Sequence, residues 1–267
     1  MIEDDFDPVK FRDGLGTRRL GRMVEYLPSC ESTNDEMAVR AAAGAKEGWL
    51  VVAGQQTAGR GRRGRTWHAP ARENLTFSLL LRPPLPARLA TPITLVAGAA
   101  LATSLDELGY SPRLKWPNDV LLESTAGTRK VAGILTEMVS EGSHVRHVIL
   151  GVGINVNTET FPEEIVHRAT SLRLVRGETV DRGQILAAFL QTFEPIYDHF
   201  VAEGPSAALA TWNQFAVLGQ PCSVERGGQQ VEGVAEGVDG AGALLVKTTQ
   251  GHLVTVHAGE ITWRSST

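Results

Sequence analysis

The feature that most restricts the fold is a strand–loop–strand block at residues 49–83. WLVVAG (49–54) reads as a buried strand, and NLTFSLLLRP (74–83) as a second strand stopped by Pro83 and Pro84. Between them runs TAGRGRRGRTWHAP (57–70). Its Gly59-Arg60-Gly61-Arg62-Arg63-Gly64 spells G-x-G-x-x-G directly after a strand. A dinucleotide-binding turn of that spelling must open a helix, with an acidic residue about 20 positions on. Here the loop passes into another strand, and Leu79 to Leu81 fill the distal position. Gly59-x4-Gly64-Arg65-Thr66 fails as a P-loop for the same reason: no helix N-terminus faces the phosphates, and arginine does not replace the motif's lysine.

What remains is the chemistry of the loop itself. Arg60, Arg62, Arg63 and Arg65 alternate with Gly59, Gly61 and Gly64 in a chain of formal net charge −4. The positive charge is therefore local, which suits a small anionic ligand better than a polyanion. Glycines let backbone N–H groups approach a ligand, and arginine forks match phosphate oxygens. Four mutually repelling side chains on such a backbone are expected to stay mobile until an anion arrives, then to close over it and exclude water. The competing readings are a solvated loop and an RGG-like nucleic-acid segment, although such segments come as repeated tracts.

The 267 residues suffice for one sizeable core plus a smaller domain. Cys30 and Cys222 are far apart and lack metal or redox spacing, as in a reduced cytoplasmic chain. MIEDDFDPVKF has no apolar signal region, and the most apolar run, ITLVAGAALATSL (93–105), is too short to span a bilayer. Residues 1–23 read as a loose arm. STNDEMAVRAAAG (32–44) reads as a helix with a capping box at Thr33 and Glu36 and a stop at Gly44. Thr91-Pro92 starts a helix to about Leu108, with Thr91 as its cap. RLKW (113–116) and VLLE (120–123) are strands joined by a tight WPND turn, and KVAGILTEMV (130–139) pairs with HVILGVGINVN (147–157) as a hairpin. Asp181 caps a long helix whose stripe from Ile185 to Phe200 is core, and Pro195 predicts a kink or break in it. PSAALATWNQF (205–215) is one more helix. From about residue 216 five short β-prone pieces suggest a small barrel or sandwich. The reading is an arm (1–23), a larger domain (24–215) and a β domain (216–267).

GRGRRGRTW, KWPNDVLL (115–122), KVAGILTEM (130–138) and GVGINVN (151–157), with STN (32–34) upstream, resemble the biotin–protein ligases. The resemblance covers roughly residues 28–264, with four motifs in family order. It implies an α+β fold, a mixed sheet with helices packed on one face (class II synthetase-like), followed by a small C-terminal SH3-like β-barrel. It implies a two-step reaction in which biotin and MgATP give biotinyl-5′-AMP and pyrophosphate, and a lysine of a biotin carboxyl carrier protein or domain then takes the biotinyl group. Some members carry an N-terminal DNA-binding domain; only 31 residues precede Ser32, so no nucleic-acid role is expected, and no membrane role. Monomer and homodimer both stay open. The nearest alternative is a lipoate or octanoate ligase of the same superfamily, whose acyl tunnel would read more apolar.

The resemblance also implies roles. Lys130 lies between the biotin carboxyl oxygen and the α-phosphate, with Arg62 at the phosphate, and these two with Asp119 are the catalytic candidates. Biotin is expected against Ser32, Thr33, Asn34, Gln56, Gly59, Arg60, Arg62, Trp67, Lys130 and Gly133. Gln56 is preferred to Gln55 because it lies two before Ala58, and Trp67 is the aromatic wall. ATP and the adenylate are expected at Arg60, Arg62, Arg65, Asn118, Lys130 and Asn155, with Mg near Asp119 and no structural metal. Taken alone, Thr33 is a helix cap, Asn118-Asp119 an ordinary turn, and Lys130 a solvated edge residue.

Overall fold

The computed structural model describes residues 6–124, 127–226 and 228–263. In chain order the elements are α1 (Pro8–Gly14), β1 (Met23–Leu27), α2 (Thr33–Ala42), β2 (Trp49–Ala53), β3 (Leu75–Leu81), α3 (Ala87–Ala90) and α4 (Ile93–Glu107). Then follow β4 (Pro112–Lys115), β5 (Asp119–Leu122), β6 (Arg129–Glu141), β7 (His144–Ile154), α5 (Leu172–Arg176), α6 (Arg182–Glu203) and α7 (Ser206–Phe215). The last strands are β8 (Pro221–Arg226), β9 (Gln229–Val238), β10 (Leu244–Thr248), β11 (Leu253–Val256) and β12 (Ile261–Trp263).

Seven strands form one mixed sheet in the order β1-β2-β3-β7-β6-β5-β4. Only β1 and β2 run parallel, joined across α2; every other pairing is antiparallel. All seven β3 residues are buried, which requires cover on both faces. Phe77, Leu79 and Leu81 point into the main core with Leu150, Phe189 and α4. Val51, Leu80 and Ile149 point the other way, onto Met37 and Ala41 of α2. The long helices α4, α6 and α7 thus share one face, and the one-face expectation gains an exception in α2. That second face is only partly covered, and the uncovered part holds the site.

On α6, Phe189, Phe193 and Tyr197 stack in sequence with centroids 5.4 and 5.5 Å apart, and Phe77 of β3 lies 5.6 Å from Phe189. Burying each such ring contributes roughly 2–3 kcal/mol. Asp181 caps α6 by accepting from Gln184 N–H at 3.0 Å. Of the kink or break expected at Pro195, the break does not occur: α6 is a single 22-residue helix. Pro195 and Gln191, whose carbonyl loses the bond, are both exposed, so water can take the donor's place. Pro92, rather than Thr91, occupies the cap position of α4. Ala87–Glu107 is long and apolar enough to cross a membrane by composition, but most of it is buried inside this protein.

The loose N-terminal arm is the clearest correction. Residues 1–5 lie outside the described residues, but Phe6, Phe11, Leu15 and Leu20 are all buried in the main core. Asp7 caps α1 through Val9 and Lys10 N–H. The backbone of Arg18, Arg19 and Leu20 donates to the carboxylate of Glu194, at 2.7, 2.9 and 2.9 Å. Polar composition hid this, because the anchoring residues are widely spaced and their partner is 174 residues away in sequence.

The C-terminal strands form a separate antiparallel sheet, β11-β10-β9-β8-β12. It docks through Val217 N–H to Leu114 O at 2.9 Å and through Trp116 Nε1–H to Gly242 O at 3.1 Å.

Candidate active site

A cavity of about 390 Å³ lies over the uncovered part of the large sheet. Its floor is made of glycines. Gly133 of β6 pairs with Gly153 of β7, and Leu135 pairs with Gly151, so these residues share one face. A Cβ on Gly153 would stand 2.5 Å from the Trp67 ring, and one on Gly151 would collide with the Asn34 amide. A Cβ on Gly133 would meet Lys130 Nζ at 3.2 Å. The floor is bare because the loop and α2 lay their own side chains across it.

One end of the cavity is polar and uncharged. The N-terminus of α2 points there without a side-chain cap: Ser32 is the cap residue and makes no capping bond. The capping box expected at Thr33 is therefore corrected; Glu36 turns instead to Arg40, at 2.8 Å. Thr33 is the first helical residue, and Gln56 Oε1 accepts from both its N–H (2.7 Å) and its hydroxyl (3.1 Å). Ser78 donates to Asn34 Oδ1 at 2.6 Å, and Asn34 Nδ2 donates to Glu137 at 2.7 Å. Ser32, Thr33, Asn34 and Gln56 all line the cavity, whereas Gln55 does not. The helix end keeps unspent N–H groups for a ligand oxygen.

The other end is cationic. Lys130 Nζ lies 2.6 Å from Asp119 Oδ1 and 5.5 Å from the centre of the Trp67 ring. Arg62 donates to Asn118 Oδ1 at 3.4 Å and to Gly259 O at 3.3 Å. Among the described residues it touches no carboxylate, and burial, helped by the like charges of Arg63 and Arg65, holds its pKa below the usual guanidinium value. Arg65 pairs with Glu260 at 2.9 Å. Burial pushes the Glu260 carboxyl up, but the hydrogen bond and charge of Arg65, with Lys115 and Lys130, bring it below its ordinary value. Asn155 is buried at the rim, donating to Thr170 O and accepting from Asn74.

The loop is built differently from the expected set of mutually repelling arginines. Arg60 meets Asp35 at 2.5 Å and Glu137 at 3.3 Å, Arg63 meets Glu225, and Arg65 meets Glu260. Carboxylates from α2, β6 and the C-terminal sheet supply the counter-charge. Gly59 does not line the cavity. Its carbonyl accepts from Trp67 N–H at 2.8 Å, and a Cβ there would sit 2.7 Å from Trp67 O, so its role is to let the loop fold back and set Trp67 over the floor. The other thirteen named positions line the cavity. Sequence reasoning did not single out Lys115, Glu260, Trp263, Gly151 or Gly153, which line it too. The spacing of two between Gly151 and Gly153 was the available signal, since it places both on one face of a strand. Glu260 and Trp263 reach the site only through docking of the second sheet, and no local pattern announces that.

A cavity with a neutral hydrogen-bonding end and a cationic end, bridged by an aromatic wall, defines a site for a polar-headed carboxylate joined to a phosphate. Residues 26–155 match the model of the biotin/lipoate A/B protein ligase family, and residues 217–263 match the biotin protein ligase C terminal domain. The chain is 37% identical to the bifunctional ligase/repressor BirA of Bacillus subtilis, over 91% of this chain and 74% of that protein. It is 35% identical to the biotin–[acetyl-CoA-carboxylase] ligase of Mycobacterium tuberculosis, over 97% and 96%. The biotin protein ligase of Aquifex aeolicus, solved with biotin and ATP, superposes with a TM-score of 0.78 at 30% identity, over 92% of this chain and all of that one. The chain belongs to the biotin/lipoate A/B protein ligase family, with the C-terminal domain of its biotin protein ligases.

Proposed function

We infer that this protein is a biotin–protein ligase, which condenses biotin with ATP to biotinyl-5′-AMP and pyrophosphate and passes the biotinyl group to a lysine of a biotin carboxyl carrier domain. The observation that carries the assignment to biotin rather than lipoate is the neutral end of the cavity. Ser32, the free N–H groups of α2, Thr33, Asn34 and Gln56 present donors and acceptors together, which suit a ureido ring and have no partner in a dithiolane or an alkyl chain.

From there the chain of biotin runs beneath Trp67 over the glycine floor, and its carboxylate meets Lys130. Lys130 and Arg62 lower the barrier by holding two anions together and stabilising charge on the α-phosphate oxygens. Asp119 fixes the Lys130 ammonium in place by its 2.6 Å ion pair. Asn118 orients Arg62, and Arg65, braced by Glu260, closes the phosphate side. Trp67 and the loop keep water from the mixed anhydride. The donor set fits magnesium as an ion carried in by the nucleotide: the two lining carboxylates, Asp119 and Glu260, are already paired, and among the described residues no cluster of three metal ligands occurs. Asp119 is the residue that would hold it, and it would supply charge neutralisation at the triphosphate. Two unpaired thiols, Cys30 and Cys222, support a reducing, cytoplasmic setting.

The test is ATP–pyrophosphate exchange with purified protein and biotin, lipoate or octanoate. Exchange dependent on biotin is expected. Exchange with lipoate alone would move the protein to the sister activity.

A further inference from the structure

Lys115 is a half-buried cation that the roles above leave unused. It closes β4, lines the cavity, and among the described residues its ammonium makes no hydrogen bond or ion pair. The two carboxylates that act on it, Asp119 and Glu260, are committed to Lys130 and Arg65. Arg60 is likewise neutralised by Asp35 and Glu137, and Arg168 is exposed to water. Among the described residues that line the cavity, the sheltered positive charge with no carboxylate of its own therefore resides on Arg62 and Lys115. Burial holds Lys115 below the usual lysine pKa, as expected of an ammonium awaiting a counter-ion.

Its position supplies a direction. Across the sheet, Lys115 pairs with Asp119, Asp119 with Gly133, and Gly133 with Gly153, so these four residues form one row on the cavity face. Trp67 covers the Gly153 and Gly133 end, where the proposed function puts the acyl chain. Lys130 meets Asp119 in the middle of the row. Lys115 stands one strand further out, about 4.8 Å beyond Asp119. Attacking and leaving oxygens are in line at a phosphorus under displacement. A carboxylate arriving from the Gly133 side therefore drives the leaving group toward Lys115.

We propose that Lys115 is a catalytic residue of the first half-reaction, binding the β- and γ-phosphates and stabilising the pyrophosphate as it leaves. In that step the biotin carboxylate oxygen bonds to the α-phosphorus. The bond from that phosphorus to the α,β-bridging oxygen breaks, and pyrophosphate departs with the electron pair. No proton need move to Lys115; its ammonium meets charge that grows on the bridging oxygen.

The assignment rests on the ligase reading, and the two can fail separately. Biotinyl-5′-AMP lacks the β- and γ-phosphates, so a residue reserved for them matters only while the adenylate is being made. In Lys115→Gln and Lys115→Met, biotin-dependent ATP–pyrophosphate exchange is expected to fall about 10²-fold. Both variants should bind chemically made biotinyl-5′-AMP with wild-type affinity and pass it to a carrier domain at the wild-type rate. Equal losses in both half-reactions, loss of adenylate binding, or undiminished exchange would each overturn the proposal. A wild-type protein showing no biotin-dependent exchange would instead overturn the ligase reading.

Discussion

Lys130 and Asp119 face each other across β5 and β6 at 2.6 Å, so each holds the other's charge in place. Replacing Lys130 by alanine leaves Asp119 as an uncompensated anion where a carboxylate and a phosphate must meet. Exchange should slow by about 10²–10³-fold, with thermal unfolding unchanged by circular dichroism. Arg62→Ala should slow exchange to a similar degree and also weaken adenylate binding, seen by calorimetry. Gly153→Ala tests the floor: its methyl would meet the Trp67 ring at 2.5 Å, so Trp67 must move. Biotin KM should rise by tenfold or more, as expected of about 1–3 kcal/mol of overpacking, while kcat changes less. An unchanged KM would mean that Trp67 does not wall the ligand. At this scale the site was largely legible, because loop, lysine and turn residues keep their motif spacing. Lys115 lies in KWPND, but a strand-end lysine is ordinarily solvated, and only its position in the row sets it apart.

Among the elements, α2 and the N-terminal segment show opposite uses of backbone N–H groups. The α2 end is left uncapped toward the cavity, with Gln56, distant in sequence, accepting from Thr33. The N-terminal segment instead spends three N–H groups on Glu194, which is 4% exposed. Burial pushes the Glu194 carboxyl up, but those three donors, with the charge of Arg19, hold it below the usual range. Its folded pKa being depressed, its stabilisation is complete above the ordinary value of about 4.3 and is lost as pH falls through the lower folded value. Glu194→Ala should lower unfolding free energy by about 2–4 kcal/mol in urea titrations near neutral pH, and flatten the acid limb of stability against pH. An unaltered acid limb would show that the anchor does not depend on its charge. Strand and helix order was readable from apolar periodicity. The Gln56 contact to the α2 end and the anchored arm were not, because each is completed by a side chain remote in sequence.

In the whole molecule the second sheet is part of the site. Arg62 reaches Gly259 O, Arg65 reaches Glu260, and Trp263 lines the cavity. The ion pairs between the loop and that sheet differ in shelter. Arg63 and Glu225 are both about half exposed, whereas the Glu260 side chain is 29% exposed. Glu225→Ala should therefore leave the reaction unchanged, since exposed pairs contribute about 0–1 kcal/mol. Glu260→Ala should speed escape of the bound adenylate by about tenfold or more by freeing Arg65, in line with a charge-assisted bond of about 1.5–3 kcal/mol. Chase experiments with labelled biotin compare the two, and equal escape rates would refute a bracing role for Glu260. Taken by itself, the sequence determined the elements, the cationic loop and the family, because periodicity and motif spacing are properties of neighbouring residues. The tertiary structure alone decided which carboxylates neutralise which arginines, and left Lys115 and Arg62 unneutralised. Charge acts through space, and Arg65 and Glu260 become neighbours only when the two sheets dock.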